Sequence, residues 1–295
     1  MERGQFEKEV KSEEIRSIAS KILGAENVGG IFRICERYGE DAGDVREYDV
    51  YRVNTPFGDR MLKKAAKREA ENYARYLAGK SLRVPACFGR SRVGRDDWIA
   101  LERIDGEDLR DMTDALAIAA ADSIAEIQNC FWGSADTDRF DAYLERIRRR
   151  YSFIKDDPPI GEAYRLFLER QKTCPRTLSN GDFLEFNALS RAGAVYIVDW
   201  GFGGVMPYSL DIARFIAHAT EDRATFPFYM NVRQKKLFVN GVYERLNDKP
   251  DYERYLLDIK LAVLNEYVEF VEADEDDERW YYEHAKALAE ELLSR

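Results

Sequence analysis

The chain has 295 residues, 45% of them hydrophobic, and a formal net charge of -10. That length and apolar share allow one large core or two medium ones. The acidic balance excludes the basic footprint of a nucleic-acid binder and leaves room for a cationic substrate.

In chain order, residues 5–23 have Phe6, Val10, Ile15, Ile18 and Ile22 near one side, a spacing that predicts an amphipathic helix stopped by Gly24. GGIFRICERYG, EYDVYRVNT and RMLKKA then alternate apolar and polar residues between Gly-containing turns, which predicts a three-strand antiparallel meander. AKREAENYARYLAGK reads as a helix ending at Gly79, and DWIALERI as a further strand. Together these make a small β-β-β-α-β unit of about a hundred residues. Beyond IDGEDL the pattern turns helical at 111–131, 138–153 and 161–171. A loop, a short strand NALSR, a turn at Gly193 and a strand VYIVDW follow. From Leu210 the tail is helical again, interrupted at Pro227 and Pro250, and closes with helices near 251–272 and 278–294.

Cys35, Cys87, Cys130 and Cys174 are scattered and form no CxxC pair, as expected of a reduced, cytoplasmic chain. His218 and His284 are the only histidines, too few for a His-rich metal site, and they leave little for a Ser-His-Asp triad. No run nears the roughly 18 apolar residues that span a bilayer, and the charged N-terminus lacks a signal-peptide core, so neither membrane nor nucleic acid is an expected partner. Oligomeric state is not readable. AGKS at 78–81 is no P-loop: Ala74 stands where the first glycine belongs, and the segment ends a helix where a P-loop would begin one.

The informative stretch is LSNGDFLEFNALSRAGAVYIVDWG, residues 178–201. Phosphoryl transfer needs a carboxylate near the attacking hydroxyl, oxygen ligands for Mg2+ and a fixed phosphate. Asp182 suits the first role, and Asn187 with Asp199 is a sensible protein share of a Mg2+ shell. The bland alternative is an Asx turn at NGD with Asn187 and Asp199 capping local backbone.

NGDFLEFN followed by IVDWG resembles the HGDxxxxN…IDW pattern of the aminoglycoside phosphotransferase and choline kinase-like family. That resemblance implies an α+β, bilobal protein-kinase-like fold, with a small antiparallel lobe and hinge over 1–104 and a mainly helical lobe over 105–295. It implies an ATP-dependent phosphotransferase acting on a hydroxyl of a small molecule such as an aminoglycoside, choline, homoserine or an amino sugar. By the family's register Lys63, not Lys64, contacts the nucleotide phosphates, with Glu69 as its partner and Glu71 as second choice. Glu102, Arg103 and Ile104 fall at the hinge against the adenine, and Asp211 is a buried polar anchor. Asp182 is the implied catalytic residue, and Asn187 and Asp199 the implied metal ligands.

The chain departs from the pattern at Asn180 and Gln128, both histidines in the family, which leaves a catalytically impaired nucleotide-binding protein as the rival reading. Gly39 and Gly43 sit in an acidic loop that could cover the phosphates but lacks GxGxxG. The short span from Asp199 to Leu210 leaves little platform for a peptide, favouring a small acceptor. The acid- and aromatic-rich stretch EYVEFVEADEDDERWYYEH offers a cationic acceptor a site, though a solvated acidic face backed by core aromatics fits it slightly better.

Overall fold

The computed structural model describes residues 4–38, 44–66, 68–219, 228–276 and 279–294. The loop around Gly39 and Gly43 lies outside them. The chain forms two compact units, Met1–Asp105 and Gly106–Arg295.

The N-terminal unit is built on an antiparallel six-stranded sheet. Its strands are β1 (Gly4–Glu9), β2 (Ile31–Tyr38), β3 (Asp44–Val53), β4 (Arg60–Lys64), β5 (Cys87–Val93) and β6 (Asp96–Glu102), in the order β1-β2-β3-β4-β6-β5. The meander is as its alternation predicts. The first element differs: residues 4–9 pair with β2, from Gly4 opposite Arg37 to Glu9 opposite Phe32, and only Glu13–Leu23 is helical (α1). Ser12 starts that helix by accepting a hydrogen bond from the Ile15 amide, and Gly24 ends it at φ 88°. Ile15, Ile18 and Ala19 of α1 pack on Ile31, Tyr51, Val53, Leu62 and Trp98 of the sheet, which is the core of this unit. The expected helix after β4 is one α-turn, α2 (Glu69–Asn72), continued as a π-turn over Tyr73–Leu77.

The C-terminal unit is mainly helical, with α3 (Asp114–Phe131), α4 (Phe140–Ile154), α5 (Ile160–Gln171), α6 (Ser209–Ala217), α7 (Val232–Arg245), α8 (Tyr252–Glu272) and α9 (Trp280–Leu293). Two small sheets are set among them. One joins β7 (Glu107–Asp108), β9 (Ala188–Arg191) and β10 (Ala194–Ile197); the other pairs β8 (Arg176–Ser179) with β11 (Gly204–Pro207). Gly106, at the entry to β7, is required by packing: a Cβ there would lie 2.2 Å from the Ser190 carbonyl oxygen. An aromatic stack of Phe183, Phe215 and Phe238, with centroids 4.5 and 4.8 Å apart, holds the loop after β8 against α6 and α7. All three rings are fully buried, each contributing on the order of 1.5–3 kcal/mol. Among the described residues no helix is long and apolar enough to cross a membrane.

Candidate active site

The loop between β8 and β9 carries the central carboxylate. Gly181 holds it in a left-handed turn at φ 76°, where a Cβ would also meet the Phe202 carbonyl oxygen at 2.6 Å. The turn is fastened from below by Asp211, at the start of α6. Its carboxylate accepts bonds from the Ser179 hydroxyl (2.6 Å) and from the amides of Asn180 (2.7 Å) and Gly181 (3.0 Å). Burial pushes the Asp211 carboxyl up, and these three donors pull the other way.

Asn180 uses both ends of its carboxamide. Nδ2 donates to the carbonyls of Val198 and Asp199, each at 3.1 Å, while Oδ1 accepts from the Asp182 amide. It therefore ties the 182 loop to the 199 segment, a linking role that its two-sided amide fills without an imidazole. Gln128, the other departure, donates Nε2 to the Tyr208 carbonyl at 2.7 Å, pinning α3 to the chain entering α6.

Asp182, Asn187 and Asp199 are brought into one neighbourhood. Asn187 sits at the end of a 3-10 turn and donates Nδ2 to the Asp182 backbone carbonyl (2.8 Å) and carboxylate (3.2 Å). That contact turns its Oδ1 away from Asp182. The Val198 amide donates to the Asn187 carbonyl at 2.9 Å, which places Asp199 beside it. Asp199 has φ 53°, a left-handed conformation that Asp tolerates better than most residues. One carboxylate and one carboxamide oxygen are the hard donors a Mg2+ ion accepts when phosphates and water complete its shell, so the donor set fits that ion.

Three further residues belong to this site and are not legible in the motif. Arg214 of α6, largely but not fully buried, donates Nε (2.9 Å) and Nη2 (2.7 Å) to Asp182 Oδ1 and Nη1 to Glu266 (2.8 Å). Glu266 in turn lies 3.4 Å from His218 Nε2, whose Nδ1 meets the Tyr281 hydroxyl at 3.0 Å. Burial alone would raise the Glu266 carboxyl; the Arg214 guanidinium and the His218 contact together outweigh it and hold the group at about 2. Glu185, beside Asn187, is 1% exposed, and burial pushes its carboxyl up to about 7. The only sequence signal for Arg214 is its place on the apolar run SLDIARFIA, where a solvated arginine is out of pattern.

In the N-terminal unit, Lys63 of β4 pairs with Glu69 (Nζ to Oε2, 2.9 Å), whose side chain is fully buried. Lys64, on the opposite face, pairs with Asp96, and Glu71 is taken by Arg68. Glu102 ends β6, its amide donating to the Ala86 carbonyl at 2.7 Å and its carboxylate accepting from the Ala86 amide. Arg103 pairs with Asp59 at 3.0 Å, and Ile104 is buried.

The sequence profile of the phosphotransferase enzyme family matches residues 42–247. The chain belongs to the phosphotransferase enzyme family. This phosphotransferase is similar in fold to an amicoumacin kinase in complex with AMP-PNP, Ca2+ and Ami (TM-score 0.57, 12% identity, 96% of this chain and 93% of that one). It is likewise similar to an ethanolamine kinase of Plasmodium vivax (0.55, 10%, 88% and 82%) and to a choline kinase of Cryptosporidium parvum Iowa II (0.53, 12%, 96% and 94%). At these identities the likeness shows the kinase-like α+β fold. No curated protein sequence matches the chain.

Proposed function

We propose that this phosphotransferase moves the γ-phosphate of ATP to a hydroxyl group of a small molecule. The observation that carries the reading is the contact of Asp182 with Asn187, joined through Asn180 and Val198 to Asp199. In this reading Lys63, steadied by Glu69, contacts the α- and β-phosphates, and the backbone at Glu102, Arg103 and Ile104 meets the adenine. Asn187 Oδ1 and the Asp199 carboxylate hold Mg2+, which when bound neutralises phosphate charge. Asp182 receives the acceptor hydroxyl. Arg214 already donates twice to one of its oxygens, so Asp182 acts first by orienting the nucleophile, and the chemistry is mainly positioning and charge neutralisation.

The acceptor is small because the chain after Asp199 is used at once. Gly204–Pro207 pairs back onto Arg176–Ser179, and α6 begins at Ser209. Nothing in that span forms a platform for a peptide. The cationic, aminoglycoside-like acceptor read from the 266–284 stretch meets an obstacle: Glu266 is bound by Arg214 and Glu269 by Arg150. A metabolite kinase is thereby favoured over an aminoglycoside enzyme. The non-catalytic alternative is disfavoured by Asn180, which keeps the 182 and 199 segments tied.

The test is ATP-dependent phosphate transfer across a panel of hydroxyl compounds, with Asp182→Asn and Asp199→Asn beside the native protein. Asp182→Asn is expected to lose roughly two to four orders of magnitude in rate with Mg-ATP binding retained. Asp199→Asn is expected to weaken Mg-ATP binding itself. Full turnover by both variants would refute the assignment.

A further inference from the structure

A cavity of about 170 Å3 opens beside Asp182 within the C-terminal unit, between α4, α6 and α8. It adjoins a second of about 180 Å3 that shares its Tyr143 and Arg146 wall and adds Arg139. Drug-sized ligands occupy roughly 300–1,000 Å3, so the space suits a compact molecule.

The charges around it are unevenly settled. Of the four carboxylates that line it, three already have a guanidinium: Asp182 and Glu266 share Arg214 at 2.7 and 2.8 Å, and Glu269 takes Arg150 at 2.6 Å. Asp211 lies underneath, covered by a hydroxyl and two amides. Arg146 stands apart. It is exposed and its ring contact is a 6.0 Å approach to Tyr143; among the described residues no carboxylate comes within ion-pair reach of it. Arg139 is laid along the same wall by a missing side chain, since a Cβ on Gly204 would fall 2.4 Å from its Cγ.

We propose that this cavity takes an acceptor carrying an anionic group, a carboxylate or a phosphate ester, which Arg146 binds with Arg139 beside it while the hydroxyl to be phosphorylated meets Asp182. The proposal rests on the phosphotransferase reading above. A cationic acceptor would set like charge against Arg146 and find every wall carboxylate already engaged. An anionic one gains the charge-assisted, two-pronged hydrogen bonds that a guanidinium offers.

The experiment measures binding by calorimetry, on protein saturated with AMP-PNP and Mg2+, of glycerate, gluconate and glycerol 3-phosphate against glycerol, glucose, ethanolamine and glucosamine. Transfer from ATP to the same compounds is measured in parallel. Binding confined to the anionic members is expected, and the carboxylate and phosphate arms tell the two headgroups apart. Arg146→Ala should weaken that binding roughly 10- to 100-fold, the range of one charged hydrogen-bond pair. Arg146→Glu should abolish it and admit ethanolamine. Thermal melts check that both variants fold. The proposal is overturned if no anionic compound binds, if neutral or cationic members bind better, or if Arg146→Ala binds glycerate like the native protein. Loss of the phosphotransferase reading looks different: Mg-AMP-PNP itself would then fail to bind and no compound would accept phosphate.

Discussion

Replacing Arg214 by Met removes the one cation among the described residues that serves both Asp182 and Glu266. Its aliphatic stem is largely preserved, so the loss is electrostatic. Glu266 is buried, and its depression from 4.5 to about 2, to which Arg214 and His218 both contribute, corresponds to at most roughly 3 kcal/mol of stability at neutral pH. Removing one partner of a buried ion pair typically costs about 3–5 kcal/mol, because the other charge is left without compensation. The two figures agree, and at about 2–4 °C per kcal/mol they predict a fall in Tm on the order of 10 °C. The pH dependence has a definite sign. Because Glu266 is held low in the folded state, its contribution is complete above about pH 4.5 and is lost as pH falls toward about 2. In Arg214→Met that acid loss should shrink, since only the His218 contact then opposes burial, which favours the protonated carboxyl. Adding Glu266→Gln should recover part of the Tm by removing the orphaned charge, but not the rate, because Asp182 Oδ1 still lacks both of its donors. Thermal melts from pH 3 to 8 and kcat for the best acceptor are the assays. A single variant with native Tm and native kcat would refute the reasoning.

Other outcomes follow from the same geometry. Asn180→Asp should be worse than Asn180→Ala in melting temperature, because a buried carboxylate would face the carbonyls of Val198 and Asp199 while alanine only forfeits hydrogen bonds of about 1 kcal/mol each. Lys63→Met should cost about 3–5 kcal/mol by taking the Lys63 cation from the buried Glu69, and Lys63→Met with Glu69→Gln should recover much of it, read by denaturant titration. Iodoacetamide at pH 8 should label the exposed Cys130 and leave Cys174 untouched in the folded protein, since burial pushes the Cys174 thiol up to about 12; mass spectrometry of the peptides decides.

How far the sequence could be read depended on whether a feature was local. The meander announced itself because each strand alternates and each turn carries its own glycine. Strand β1 did not: Phe6 and Val10 stand four apart, as on a helix, and the strand is tied to β3 by contacts such as Arg52–Glu7 and Lys8–Glu47, whose partners lie about 40 residues away. The same division applies to the site. Asp182, Asn187 and Asp199 lie within one stretch, so their chemistry and spacing appear together. Arg214 is 32 residues beyond Asp182 and Glu266 a further 52, and nothing in their local patterns says that they meet. The acidity of the 266–284 stretch left two readings open for a related reason. Composition counts carboxylates, and only the fold shows which of them have arginines. The aromatics there form a contact between α8 and α9, with Phe270 stacked on Tyr281 at 4.6 Å.

The left-handed backbone at Asp199 bears on how this position should be probed. Alanine at φ 53° would bear a conformational penalty of about 1 kcal/mol that asparagine or glycine largely escapes. An alanine scan would thus mix torsional cost with loss of the proposed metal ligand at a place where the two need to be separated. Asparagine keeps the bend and changes only the charge, and glycine keeps the bend and removes the side chain.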